Sequence, residues 1–200
     1  VEQQQDPERS PPIFILPTAI DIHCEGKTER KYIRVDRRRQ EFIFPCPVKP
    51  DWIQFDPEYI LLAEYEDNKD KETFRYQLEH GVHFRDRYDA IQELLREPST
   101  DIMALGVQAL DDPHWYIREM TLNNLPIDIS TSVKNKAHDL VKTDPDARVR
   151  AAALAVLAPT KDPVLADLAI QVIESDSAYS VVGRAVELLS KLNPGKAQQY

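Results

Sequence analysis

Three groupings of polar side chains are of the types that do chemistry, and their spacing decides what each can do. His80 and His83 stand three residues apart with Glu79 and Asp86 close by, a set able in principle to hold a metal ion. Gly81 between them predicts a helix end, which splays the two rings, and neither a cysteine nor a third histidine follows at ligand spacing. The pattern reads as an exposed helix junction. Arg30, Lys31 and Arg34 with Asp36-Arg37-Arg38-Arg39 form the one basic cluster. It reads either as an anion contact or as a solvated hairpin tip, and the acidic balance elsewhere favours the tip. Carboxylates are plentiful, but they fall at expected helix caps and polar faces, so no two pair as general acid and base. The sequence has no HExxH, no GxSxG and no Cys/His nucleophile pair. Its glycines, Gly26, Gly81, Gly106, Gly183 and Gly195, are too dispersed to cradle a phosphate. His23, His114 and His138 are isolated and read as surface or packing residues. Trp52, Trp115 and Tyr116 are the large aromatics able to mark a contact surface, with burial of Trp115-Tyr116 between helix units as the first reading. No catalytic, cofactor-binding or metal-ligating residue is assigned.

The elements that position these groups fall into two periodicities. Asp112, Ile117, Leu122 and Leu125 recur as Asp144, Val149, Leu154 and Leu157, then as Asp176, Val181, Val186 and Leu189, a spacing of 32 residues from 112 to 144 to 176. A fixed period of this size marks stacked units, each burying its apolar face only against its neighbours. Each unit reads as two helices. Asp112 or Asp144 is expected to cap the first helix, with Pro113 or Pro145 at its first position. Val133, Ala137, Leu140 and Val141 align with Leu165, Ala169, Val172 and Ile173 in the second. Ile102, Leu105, Ala109 and Leu110 form an earlier copy of that helix, and Arg87, Ala90, Ile91 and Leu94 an earlier copy of the first. Residues 83–192 are thus expected to hold about three and a half helix pairs. Asp-Pro, then Ile117-Arg118 or Val149-Arg150, then an Ala/Leu-rich helix resembles HEAT-type repeats. That resemblance implies pairing of Asp112, Arg118, Asp144 and Arg150 between neighbouring units, ending where Val182 replaces the arginine.

From residue 11 to about 66 the period is two. Ile20, Ile22 and Cys24, then Tyr32 to Val35, then Phe42, Phe44, Cys46 and Val48, then Ile53 and Phe55, predict short half-buried strands. Glu25-Gly26-Lys27 and Pro45, Pro47 and Pro50 supply turns and strand edges. The expectation is an antiparallel, Ig-like β-sandwich, incomplete at its N-terminal edge, with Val1 to Gln5 as the remains of a preceding strand. A charged break at 67–72 places the domain boundary, giving a β-sandwich over 1–67 and an α-α superhelix of HEAT-like helix pairs over 68–200. A helix from about Glu72 to His80 opens the second domain, with Gly81 as its C-cap.

Composition excludes several function classes. Formal net charge is −9, against a nucleic-acid partner, which needs surplus Lys and Arg on one face. No run of 18 apolar residues exists, so no membrane span is expected. The opening Val-Glu-Gln-Gln-Gln carries neither Met nor a signal sequence and reads as the start of an excised piece. The last helix, Val181 to Leu192, shows no clearly polar capping face, so further repeats are expected after it. Cys24 and Cys46 both fall in predicted strands, either as buried free thiols or as one bridge between strands, and leave the compartment open, cytoplasmic or periplasmic and secreted alike.

Several segments together resemble the C-terminal half of the aminopeptidase N-like (gluzincin) zinc metallopeptidases, especially bacterial members. They are Val1 to Gln5 before Phe14-Ile-Leu-Pro17 and Ile20-Asp-Ile22; Val48-Lys-Pro-Asp-Trp-Ile-Gln-Phe-Asp-Pro57 before Leu61-Leu62; and Gln77-Leu78 before Asp86-Arg87 and Ala90. The run ending in Phe55-Asp56-Pro57 is the most specific. In that family a β-domain and a thermolysin-like catalytic domain, with the Gly-Ala-Met-Glu-Asn motif and the HExxH zinc site, precede a β-sandwich and a helical superhelix. The resemblance therefore implies the non-catalytic C-terminal part of a zinc aminopeptidase. Zinc is expected only in the missing catalytic domain, and the partners implied are that domain and the peptide substrates of the parent chain. The alternative from another class is a protein-protein interaction scaffold built on HEAT-like repeats.

Overall fold

The computed structural model describes residues 1–97, 99–125 and 130–200. The chain is mixed α/β, an antiparallel sheet followed by helices, in two compact units, Val1–Tyr76 and Gln77–Tyr200.

In the first unit β1 (Leu16–Cys24) pairs with β2 (Lys27–Val35) on one side and with β3 (Trp52–Phe55) on the other, both antiparallel. Glu25 and Gly26, at φ 48° and 73°, make the tight turn between β1 and β2, because two left-handed residues match the twist of paired strands. β1 is the central strand and is buried from Thr18 to Ile22. Ile20, Ile22, Ile33 and Val35 form the core on one face, under half-buried Leu16, Phe42, Phe44 and Phe55. On the other face Asp21 lies directly opposite Arg30, which donates to both carboxylate oxygens at 2.8 Å and to Glu58 at 2.6 Å. His23 lies opposite Trp52, with their rings stacked at 4.3 Å. Such directly opposed pairs are the unit of sheet stabilisation.

Phe42, Phe44, Cys46 and Val48 do not form a strand. Pro45 and Pro47 supply no N–H to a ladder, so the two phenylalanines cap the core from an irregular segment. Cys46 is accordingly exposed. Val1 to Gln3 does pair, as expected of a short edge segment: Gln3 N–H donates to the Arg38 carbonyl at 2.8 Å and Gln40 N–H to the Val1 carbonyl at 2.9 Å. The buried Gln3 amide holds the next loop by accepting from Phe14 N–H at 2.8 Å and donating to the Phe14 carbonyl at 2.9 Å.

Asp56 closes this unit. It is fully buried, at φ 49°, and its carboxylate accepts from Thr18 Oγ1 at 2.6 Å, Leu61 N–H at 2.9 Å and the Tyr65 hydroxyl at 2.8 Å. Burial alone raises its pKa, but these donors outweigh it and hold the carboxyl below its ordinary value.

Nine α-helices are found among the described residues. After α1 (Lys71–His80), in which the division between the units falls, come α2 (Phe84–Leu95), α3 (Thr100–Ala109), α4 (Trp115–Asn124), α5 (Thr131–Thr143), α6 (Ala147–Leu157), α7 (Val164–Ser175), α8 (Tyr179–Leu192) and the single turn α9 (Pro194–Ala197). Helices α3 with α4, α5 with α6 and α7 with α8 pack as consecutive pairs, and α2, α4, α6 and α8 also pack in a row. Most of the repeated apolar positions are buried, and Ile117, Val149 and Val181 are all wholly inaccessible. Ala152 and Ala153 on α6 and Ala185 on α8 are buried, on two helices that pack together.

Gly81 does not cap α1 in a left-handed conformation. It is required by proximity: a Cβ there would lie 2.6 Å from both Asp86 Cβ and the Gln77 carbonyl oxygen. Helix α8 also differs from expectation, because Arg184, Glu187, Ser190 and Lys191 give it a polar exposed side.

Two outcomes check these assignments. Asp56→Asn places an amide donor against donors and is expected to cost about 1–3 kcal/mol in denaturant titrations near neutral pH. Because the folded-state pKa of Asp56 is depressed, its contribution is complete above the unfolded value near 4 and is lost as pH falls through the folded value. The stability difference between wild type and D56N therefore shrinks as pH falls below 4. Gly81→Ala is expected to destabilise by about 1–3 kcal/mol through overpacking, read as a lower denaturation midpoint.

Candidate functional site

The repeated Asp and Arg form a ladder through the second unit. Arg87 on α2 donates to Asp112 at 2.6 and 3.3 Å, Arg118 on α4 to Asp144 at 2.8 and 2.9 Å, and Arg150 on α6 to Asp176 at 2.7 and 2.9 Å. Each guanidinium also caps the turn before its own helix. Arg118 Nη1 donates to the Asp112 and Pro113 carbonyls at 2.7 and 3.3 Å, and Arg150 Nη1 to those of Asp144 and Pro145 at 2.9 and 3.2 Å. Each Asp in turn accepts from the backbone N–H two residues on, those of His114, Asp146 and Ala178. The hydrogen bonds that Arg118 donates to Asp144 raise the Arg118 pKa, and those that Arg150 donates to Asp176 lower that of Asp176.

This corrects the expected caps. Asp112 and Asp144 face the arginine of the preceding pair, and the N-caps stand two residues later, at His114 and Asp146, which accept from Tyr116 and Arg148 N–H. Pro113 and Pro145 therefore precede the helices instead of opening them. The pairing between units occurs as the repeat resemblance implied for Arg118 with Asp144. Arg150 instead reaches Asp176, which becomes the last acceptor because Val182 stands where the next arginine would. Arg87, with Asp112 as its partner, was not among the expected pairs. The signal was present: Arg87 precedes its partner by 25 residues, against 26 for the other two rungs.

Beside the ladder, the N-terminal ends of α2 and α4 carry a continuous row of rings, extended by a cation at the start of α6. Phe84 stacks with Tyr88 at 5.6 Å and meets His114 at 4.2 Å; Tyr88 stacks with Tyr116 at 5.7 Å; and Trp115 stands edge-on to Tyr116 at 5.3 Å. Arg148 covers the Trp115 face with its guanidinium 3.3 Å from the ring centre, held there by Asp146 at 3.0 and 2.8 Å. Trp115 is half-buried and Tyr116 exposed, so the pair is not enclosed between units as first read. The row offers ring faces and edges together with cations, and brings no nucleophile near a base.

The remaining candidates separate. His83 opens α2 and its N–H donates to buried Asp86 at 3.0 Å, which makes this stretch the start of a helix. Among the described residues no group of three or more His, Cys, Asp or Glu is placed to hold a metal ion, and no helix is long and apolar enough to cross a membrane. In the basic cluster Arg30 is committed to Asp21 and Glu58, while Arg34 and Arg37 are largely exposed. A cleft of about 330 Å³ lies between α6 and α8, floored by Leu154, Ala155 and Leu188 and edged by Arg184 and Lys191, both bonded to Glu187. No protein-family model matches the chain, and no curated protein matches it at a significant level.

The rungs differ in depth. The Asp144 and Arg118 side chains are 1% and 10% exposed, against 10% and 15% for Asp176 and Arg150. Arg118→Ala strands a buried carboxylate and is expected to cost about 3–5 kcal/mol in equilibrium unfolding. Arg150→Ala is expected to cost less, and equal losses would show that burial does not set the strength of the rungs.

Proposed function

We propose that this chain is the non-catalytic C-terminal region of an aminopeptidase N-like zinc metallopeptidase. In this reading the three-stranded unit belongs to an Ig-like sandwich that acts as a spacer. The helix pairs form a HEAT-like superhelix that covers the catalytic domain and limits which peptides reach it. The zinc and the residues that cleave peptide bonds lie in that other domain, so the contribution of this chain is shape and surface.

The observation that carries the reading is the ladder, because three rungs at nearly constant spacing tie successive helix pairs in register, as a superhelix requires. The link to the peptidase rests on the resemblance through Phe55-Asp56-Pro57. Its Asp56 is the buried anchor of β3 and the segment after it.

The row of rings from Tyr88 to Arg148 favours a second reading, a scaffold that binds a protein partner on this surface. Sequencing the coding region upstream of Val1 tests the first. An HExxH with a downstream glutamate supports it, and an unrelated domain ends it. A stoichiometric partner captured by this chain without any peptidase domain, and lost with Tyr116→Ala, supports the second.

A further inference from the structure

The cleft between α6 and α8 sets an apolar floor among cations. Leu154 and Leu188 lie at its bottom and are buried, while Ala155 and Ala158 keep it open because neither has a side chain beyond Cβ. Pro159 carries the apolar wall past the end of α6. Its volume of about 330 Å³ falls in the range of pockets that hold specific ligands. Three cations and one carboxylate line it, on a chain whose formal net charge is −9. Arg184 and Lys191 are seven residues apart on α8, which puts them on one face and about 10 Å apart along the helix axis. Glu187 between them accepts from Arg184 Nη1 at 3.0 Å and from Lys191 Nζ at 2.8 Å, so one carboxylate serves two cations. Lys161 stands on the α6 side, at φ 52° in the turn that follows that helix, exposed and without an ion-pair partner among the described residues. The cleft therefore carries a surplus of positive charge on an otherwise acidic chain.

We propose that this cleft docks an acidic amphipathic helix of a partner protein, one with carboxylates two turns apart and aliphatic side chains between them. This goes beyond the proposed peptidase role and does not depend on it, and no residue of the ring row lines the cleft. Charge and spacing select the occupant. A helix lying in a groove presents its i, i+3, i+4 and i+7 positions. Carboxylates at i and i+7 stand about 10 Å apart, the separation of Arg184 and Lys191 along α8. Aliphatic side chains at i+3 and i+4 then lie over Leu154, Ala155 and Leu188. On docking, Arg184 and Lys191 each exchange a shared carboxylate for one of their own, while Lys161 adds attraction from the other wall. A single-headed amphiphile such as a fatty acid meets a cation at one end only and leaves its tail against charge at the other.

The test uses the full chain and a fluorescein-labelled helical peptide with glutamates at i and i+7 and leucines at i+3 and i+4 in an alanine and glutamine background, with binding read by fluorescence anisotropy at low ionic strength. Saturable binding is expected, weaker by about tenfold when both glutamates become glutamines or when the same residues are scrambled. Lys161→Glu is expected to weaken binding about fivefold, and Glu187→Gln to tighten it about threefold by releasing Arg184 and Lys191. Both positions are exposed, so the fold is kept, which circular dichroism checks. No saturable binding, equal affinity for the scrambled peptide, no tightening with Glu187→Gln, or displacement of the peptide by equimolar dodecanoate would overturn the proposal. Self-association of the chain that is lost with Lys161→Glu would also overturn it, by giving the cleft to a second copy.

Discussion

The bridge from one helix pair to the next is the constraint on which the second unit depends. A guanidinium has five donors in a fixed plane, and Arg118 and Arg150 spend them in two directions. One edge meets the aspartate of the following pair, and Nη1 meets the carbonyls that open the same helix. The receiving aspartate is itself fixed by a backbone N–H two residues on. A single rung thus sets the turn before one helix, the turn before the next and the distance between them. Because Arg118 and Asp144 are buried, neither is tolerable without the other, and the stacking register follows from that dependence.

The same register creates the surface. Helices α2, α4 and α6 start at corresponding places, so side chains in their first turns line up, and the rings at Phe84, Tyr88, His114, Trp115 and Tyr116 become one row ending in Arg148. Nothing in that row activates a nucleophile or moves a proton. The buried charges of the second unit are committed to architecture. The first unit follows the same rule: Asp21 and Asp56, its buried carboxylates, each serve strand pairing or loop closure.

Much of this was legible in the residues, for identifiable reasons. Ile117, Val149 and Val181 recur with a fixed period because a stacked unit has only one apolar face to hide, and all three are inaccessible. The Glu25-Gly26 turn was legible because few residues adopt two successive left-handed conformations. The twofold alternation at Phe42 and Phe44 misled, since alternation reports which side chains are inward but not whether N–H groups are free to pair, and Pro45 and Pro47 remove them. The N-caps were displaced because Asp112 and Asp144 suit either a cap or an ion pair, and local sequence does not show the arginine that decides between them. The row of rings was only half visible, through Trp115 and Tyr116. Phe84 and Tyr88 stand on a helix about thirty residues earlier, and Arg148 on one about thirty later, and they join it only through stacking of the helices.

The most direct measurement is a double-mutant cycle across Arg118 and Asp144, with Arg184 and Glu187 on the surface of α8 as reference. If buried rungs set the register, the coupling between Arg118→Met and Asp144→Leu is about 2 kcal/mol or more, while the exposed pair gives below about 1 kcal/mol. A coupling at Arg118 and Asp144 no larger than that of the surface pair would contradict the account, leaving apolar packing alone to hold the helix pairs together.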